Sequence, residues 1–319
     1  MDPLSAVLSL LKPRNYLSAG FDAGCDWAIQ FPDQQKGIKT GAVVTGQCWL
    51  AVEGEDKPVQ LFAGDCFLLP RGRPFRLASD LTLPPINAAQ VFGALPKGGI
   101  ARVNDGAAFS MVSNRFGLTG DYAGFLQRLL PPIVLIRAAQ DHGMLRASIR
   151  QMMDELRHPQ PGGDLIIDHL AQMMLVQALR LHLSAGAGGT GWLFALADRQ
   201  ISPALNAVHG DPGQRWTLET LAALCAMSRS SFAARFKVLV GTAPMTYLAR
   251  WRMAVAGERL KTTTDPVAVI ALTLGYESEA AFSTAFKRVM GSAPRQYARD
   301  GRGAGVEGTP AIQPQMLAA

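Results

Sequence analysis

The 319-residue chain has few residues suited to metal or disulfide chemistry, and they are scattered. Its four cysteines, at positions 25, 48, 66 and 225, have neither the spacing of a metal-binding pair nor that of a disulfide framework. Histidine occurs five times and not before His142, so no His-x-His pair exists in the first 140 or so residues. No apolar run reaches the roughly 18 residues needed to suggest a membrane-spanning helix. The opening Met1-Asp2-Pro3-Leu4 lacks the basic start of a secretory signal, which gives the expectation of a cytoplasmic chain with no membrane partner. What is present is globular: 48% hydrophobic and 18% charged residues, with length for two cores.

The most informative feature is a duplication near the C-terminus. Phe232-Ala233-Ala234-Arg235-Phe236-Lys237 followed by Gly241-Thr242-Ala243-Pro244 returns fifty residues later as Phe282-Ser283-Thr284-Ala285-Phe286-Lys287 and Gly291-Ser292-Ala293-Pro294. Each copy follows a short apolar helix pattern, Leu218/Leu221/Ala222/Leu224 and Val267/Ile270/Ala271/Leu274, so a helix, a turn and a second helix are written twice. The copies align at an offset of 49 before the turn (Ala226 with Gly275) and 50 after it (Ser228 with Ser278), which places one extra residue in the second turn. Gly275 can adopt a left-handed turn freely, whereas Ala226 would meet a Cβ penalty of roughly 1 kcal/mol there.

Spacing assigns the two faces of each second helix. Phe232/Phe236 and Phe282/Phe286 are i, i+4 pairs and point to the core, with Leu239 and Val289 extending those faces. Opposite them lie Arg229, Ser230, Ala233, Ala234 and Lys237, then Glu279, Ala280, Ser283, Thr284 and Lys287. Small side chains let a helix enter a major groove, and flanking Lys or Arg can neutralise phosphates. A solvated face would explain either helix alone, and the repetition weakens that alternative. Ser228 and Ser278 are placed to cap these helices, where a DNA phosphate could also be held. Residues 211–300 carry 12 Lys and Arg against 7 Asp and Glu, most of the chain's net charge of +6. Between the copies, Pro244 can open a helix whose apolar spacing runs to about Lys261; at about 1.5 Å per residue it forms a strut of about 27 Å, which with packing offsets added could hold two helices near the roughly 34 Å between successive groove faces.

Together with Tyr247-Leu248, Arg252-Met253, Gly275-Tyr276-Glu277-Ser278 and Pro294-Arg295-Gln296-Tyr297, these residues resemble the DNA-binding domain of AraC/XylS-type transcription regulators over roughly residues 200–300. The resemblance implies that the second helix of each pair enters the major groove. It nominates Ser228, Arg229, Ser230, Ala233 and Lys237 in one copy and Ser278, Glu279, Ala280, Ser283, Thr284 and Lys287 in the other. Many members carry Arg two places before the second Phe of each motif. This chain has Ala234 and Thr284 there, which removes a bidentate guanine contact and shifts readout toward Ser230, Glu279, Ser283 and groove shape.

The N-terminal half reads as β-structure, with short apolar segments at Trp27–Phe31, Gly41–Val44, Cys48–Val52, Val59–Phe62, Cys66–Leu69 and Phe75–Leu77 separated by turn residues. That pattern suggests a small antiparallel sandwich or barrel. Gly64 to Phe75 resembles the second conserved motif of cupins, with Phe75 where a metal-binding cupin would have His. No metal and no cofactor are expected, and a cupin enzyme with an appended DNA-binding module is the competing reading. Two helical segments follow, Asp141–Arg157 and Asp164–Leu183; the second is apolar on more than one face and would need burial against its own barrel or in a dimer seam.

The expected architecture is α+β and multidomain: a cupin-like β-barrel with a helical extension, then an all-α domain with two helix-turn-helix motifs. The boundaries read as 1–185 for the sensor and dimerisation domain, 186–200 for a glycine-rich linker, 201–300 for the DNA reader (motifs at about 218–240 and 267–290), and 301–319 for a disordered tail. The expected function is sequence-specific transcription regulation without catalysis. Promoter DNA, a second copy of the chain, an unidentified small effector and RNA polymerase are the expected partners. Among the cysteines, Cys48 and Cys66 lie inside apolar strands, so Cys25, in a loop, is the redox candidate. An architectural DNA protein, binding with little sequence preference, is a third reading.

Overall fold

The computed structural model describes residues 2–34, 37–96, 98–106, 108–118, 130–141, 143–184 and 192–303. They form two compact units, one within residues 13–184 and the other from residues 2–12 and 192–303. The glycine-rich break at 185–191 and the tail from 304 lie outside the described residues.

The chain opens with α1 (Pro3–Leu11), capped by Asp2, whose side chain accepts from the Ser5 backbone N–H at 2.9 Å. Sequence patterning assigned this segment to the sensor. In the structure it buries Leu4, Val7 and Leu11 in the helical unit, and the β-rich unit begins at Pro13.

That unit is a two-sheet sandwich. Its strands are β1 (Pro13–Ala23), β2 (Ala28–Phe31), β3 (Ile38–Thr45), β4 (Gln47–Val52), β5 (Val59–Phe62), β6 (Cys66–Leu69), β7 (Phe75–Ala78), β8 (Ile86–Asn87), β9 (Ile100–Val103), β10 (Phe109–Leu118) and β11 (Val134–Ile136), with α2 (Ala88–Phe92) between β8 and β9. One sheet has the order β11-β6-β3-β10-β1-β9 and the other β5-β4-β7-β2-β8. Pairing is antiparallel except for β1 with β9 and β2 with β8. Phe21, Trp27, Phe31, Val43, Leu50, Phe67, Phe75 and Met111 form part of the shared core; burying each large side chain stabilises by roughly 1.5–3 kcal/mol. Phe75, at the position where a metal-binding cupin has His, stacks on Phe31 with ring centroids 4.4 Å apart.

The six-stranded sheet is covered on its second face by α3 (Met144–Arg157) and α4 (Gly163–Ser184). With both faces buried, β1, β3, β6 and β10 show runs of buried residues in place of alternation. Polar residues under the helices pair with one another: Ser18 donates to Asn114 at 2.8 Å, Ser110 to Asp22 at 2.7 Å, and Asn15 to Asp168 of α4 at 2.9 Å. In α4, Ile167, Leu170, Met174, Leu175 and Leu179 are buried within the unit, while Leu165 (66% exposed) and Met173 (47%) are not. The sandwich thus accounts for one apolar face of this helix and leaves the other open.

The second unit is helical: α5 (Trp192–Ala197), α6 (Ser202–Gly210), α7 (Leu218–Leu224), α8 (Arg229–Val240), α9 (Pro244–Thr262), α10 (Val267–Thr273), α11 (Glu279–Met290) and α12 (Pro294–Gly303) join α1. Two boundaries differ from the sequence reading. Helix α5 falls inside the expected linker, because Trp192 is fully buried and its indole N–H donates to the Tyr247 hydroxyl at 2.7 Å. Helix α12 runs to Gly303, so the first residues of the expected tail are helical.

Candidate nucleic-acid interface

The two helix-turn-helix copies, α7–α8 and α10–α11, have the same turn. Met227 N–H donates to Ala222 C=O and Tyr276 N–H to Ala271 C=O, each at 3.0 Å, while Ala226 and Gly275 take left-handed φ values of +50° and +77°. The expected indel is Glu277, which extends the second turn toward Arg215 at 3.4 Å. Beyond the turn, Ser228 and Ser278 cap α8 and α11, their hydroxyls accepting from Ser231 and Ala281 backbone N–H groups at 3.2 Å. Gly241 and Gly291 end these helices, both at φ +81°.

The duplication extends into the cores. Phe232 and Phe236 have centroids 5.6 Å apart, Phe282 and Phe286 5.5 Å apart, and the second ring of each pair meets a tyrosine edge-on, Tyr247 at 5.7 Å and Tyr297 at 5.3 Å. All four phenylalanines are buried, as the spacing requires. Leu239 and Val289 are only half-buried, and Val240 completes the first face.

These anchors turn the remaining residues outward. Ser228, Arg229, Ser230, Ala234 and Lys237 are exposed on the first copy, with Ala233 half-buried. Ser278, Ala280, Thr284 and Lys287 are exposed on the second, with Glu279 and Ser283 half-buried. Neither outward face carries a large apolar side chain between its cap and its lysine, so each can approach a base-pair edge closely. Two polar groups are already engaged: Thr284 donates to Ala280 C=O at 3.0 Å, and Glu279 accepts from Arg295 at 3.3 Å.

Residues beyond the motifs hold the copies in place. Helix α9 spans 19 residues, about 28 Å at about 1.5 Å each, close to the expected strut. Its Arg252 donates to the carbonyls of Pro212 at 2.7 Å and Gln214 at 2.8 Å, and burial pulls the guanidinium below its ordinary pKa. Arg235, on α8, is bound at 2.6 Å by Asp198, and is therefore a positioning group and not a free cation. Burial works against the charge of Asp198, but Arg235 and the backbone N–H groups of Ile201 and Gln200 hold its carboxyl below the usual range. No sequence motif marked this pair, which joins residues 37 positions apart.

Helix ends, small outward side chains and flanking cations, all doubled, are equipment for a DNA duplex. Comparison with known proteins agrees. Residues 2–184 match the family described as cupin, and residues 221–300 match a helix-turn-helix domain family. An AraC-like transcription regulator of Streptomyces antibioticus is 42% identical over 299 residues, 93% of this chain and 98% of that protein. The HTH-type transcriptional regulator AlkR of Acinetobacter baylyi is 31% identical over 247 residues, 74% of this chain and 79% of its own. Among solved structures, the DNA-binding domain of AdpA, a global transcriptional factor in complex with a target DNA, is 32% identical, covers 35% of this chain and 99% of its own, and has a TM-score of 0.33. The chain belongs to the AraC-like transcription regulators that join an N-terminal cupin domain to a C-terminal pair of helix-turn-helix motifs.

Proposed function

We propose that the sandwich unit senses a small effector and that its occupancy changes how α8 and α11 engage consecutive major grooves of a promoter. The doubled turn, cap and aromatic anchor carry this reading, because they present two equivalent outward faces on one helical unit. Coupling has a covalent route: α1, packed in the reader unit, continues through Lys12 directly into β1 of the sensor unit. The protein acts on promoter DNA in the cytoplasm as a homodimer, alongside RNA polymerase, and carries out no catalysis. Leu165, Ile166 and Met173, the open apolar side of α4, form the dimer seam.

Oxidant sensing is the second form of the same role and falls to Cys25, which is exposed. Burial pushes the Cys48 thiol up to about 12 and the Cys66 thiol higher still, which keeps both from forming the reactive thiolate. An unchanged oxidant response in Cys25→Ser would dispose of that form. Footprinting of the full-length protein on its mapped genomic sites tests the main reading. Protection in two grooves about one helical turn apart, retained against competitor DNA at physiological salt, is expected. Contact confined to one groove, or binding indifferent to sequence, would overturn it.

A further inference from the structure

We infer that the interior of the sandwich holds a receptor for a small oxyanion, formed by Lys39 and Arg115 with the Ser113 hydroxyl. The inference deepens the sensing role above and rests on it for its regulatory meaning. The register of β3 and β10 sets Lys39 directly opposite Arg115, and Gly41 opposite Ser113. Val43 and Met111, each four residues along its strand from Lys39 or Arg115, belong to the inter-sheet core, so by alternation the Lys39 and Arg115 side chains share the inward face. Directly opposed like charges repel, and here Lys39 is buried and Arg115 half-buried.

Lys39 is only 6% exposed. Its ammonium donates to Ser113 Oγ at 3.0 Å and lies 5.7 Å from the Phe31 ring centroid. The Arg115 guanidinium lies 5.2 Å from the Tyr16 ring centroid, and its Nε is buried with no hydrogen-bond partner. Among the described residues neither cation has a carboxylate partner. Arg73, Arg137 and Arg157 of the same unit are paired with Glu55, Asp65 and Asp22. Burial, with the Arg115 charge adding to it, pulls the Lys39 ammonium down to about 7, so a counter-anion would restore a charge the site otherwise strains to keep.

Size follows from the neighbouring glycine. A Cβ on Gly41 would stand 2.4 Å from Phe67 Cε1 and 2.8 Å from Met111 Cε, so the core is close-packed on that side of the pair and excludes anything larger than a small oxyanion there. An oxyanion of that size accepts from the ammonium and the guanidinium, and Ser113 can donate its own hydrogen to it. The signal has a path outward. Thr40 and Asn114, adjacent to the pair along β3 and β10, are joined at 3.2 Å, and Asn114, Ser18, Asn15 and Asp168 continue as a chain of hydrogen bonds to α4.

Titration calorimetry of the full-length protein with acetate, nitrate, phosphate and, as comparator, chloride tests the site. Saturable binding of at least one oxyanion is expected, weakened at least tenfold in Lys39→Met and in Arg115→Gln, with Lys39→Gln as a second variant should Met impair folding. Preference for acetate identifies a carboxylate source, and preference for nitrate or phosphate an inorganic one. No saturable binding of any oxyanion, or equal binding by wild type and variants that retain the wild-type unfolding transition, would overturn the inference. Promoter affinity measured with and without the bound anion separates the two levels: binding that needs Lys39 but leaves DNA affinity unmoved upholds the receptor and defeats its sensing role, whereas a response to another effector without oxyanion binding defeats the receptor alone.

Discussion

Ala226 and Gly275 hold the same left-handed turn in the two helix-turn-helix copies, although only one of them is suited to it. The alanine carries a conformational cost of roughly 1–2 kcal/mol, part of which Ala226→Gly would return to a more flexible unfolded chain. Chemical unfolding followed by tryptophan fluorescence should show Ala226→Gly more stable by about 1 kcal/mol or less. Gly275→Ala should be destabilised by more than about 2 kcal/mol, since its Cβ would also meet the Gly213 carbonyl oxygen at 2.3 Å. Equal, small effects of both changes would show that the turns are not conformationally equivalent.

The reader was legible because its information is local and doubled. Phenylalanine pairs at i, i+4, serine caps and terminal glycines recur at a fixed offset, and each has a near-neighbour partner in the structure. The sandwich unit was legible only in part. The segments of β2 to β7 stood out as apolar runs, but β1 and β10, interior strands of the larger sheet, did not. Ser18, Asp22, Ser110 and Asn114 interrupt their apolar pattern and are buried because they satisfy each other across the ladder, a pairing that no single strand reveals. Lys39 and Arg115 were invisible for the same reason, since only register sets them opposite one another. Distance in sequence likewise concealed the Arg235–Asp198 pair and the docking of α1 in the reader unit.

Lys237 and Lys287 occupy equivalent exposed positions toward the ends of α8 and α11, suited to phosphates and not to base edges. Substituting either with Ala should weaken binding to specific and unrelated DNA by a similar factor and lower the slope of log affinity against log salt by about 0.9. Filter binding across a salt series reads both quantities. A change confined to one DNA sequence would make that lysine a base reader instead.

Glu279 lies in the first turn of α11 and is engaged by Arg295, an exposed pair whose contribution to stability is about 1 kcal/mol or less. Glu279→Gln should leave the unfolding midpoint nearly unchanged while altering base preference at one position of the site, because a carboxylate accepts from cytosine N4 and an amide also donates. Selection from a randomised operator library would show the altered position. An unchanged consensus would assign Glu279 to positioning of α12.

Leu165 and Met173 are eight residues apart on α4 and both exposed, with Ile166 beside them and the polar His169 and Gln172 between, so this side of the helix offers separate apolar contacts about two turns apart. Light scattering of the wild-type chain at micromolar concentration should report a dimer, and Leu165→Asp with Met173→Asp should convert it to a monomer of similar thermal stability. A wild-type monomer under these conditions would remove α4 as the seam.

His209 sits between Trp192, Tyr247 and Trp251, with its Nε2 accepting the Tyr247 hydroxyl at 2.6 Å and its ring centroid 4.0 Å from that of Trp251. Tyr247 in turn accepts from Trp192, so the phenol joins α5, α6 and α9 through one hydrogen-bonded chain. Burial pulls the imidazole down to about 3 from an ordinary value near 6.5, which means that the folded unit keeps it neutral. Above pH 6.5 both states are neutral, and this residue adds no pH dependence. As pH falls from 6.5 toward 3, the unfolded chain takes up a proton that the folded chain refuses, so stability declines by up to about 1.4 kcal/mol per pH unit. His209→Gln can keep a hydrogen bond to Tyr247 but does not titrate, so its stability should fall less steeply than the wild type's across that interval. Urea unfolding at pH 7, 6, 5 and 4, read by tryptophan fluorescence, gives the difference; parallel curves for the two proteins would mean that the imidazole is protonated within the fold, with the Tyr247 bond reversed.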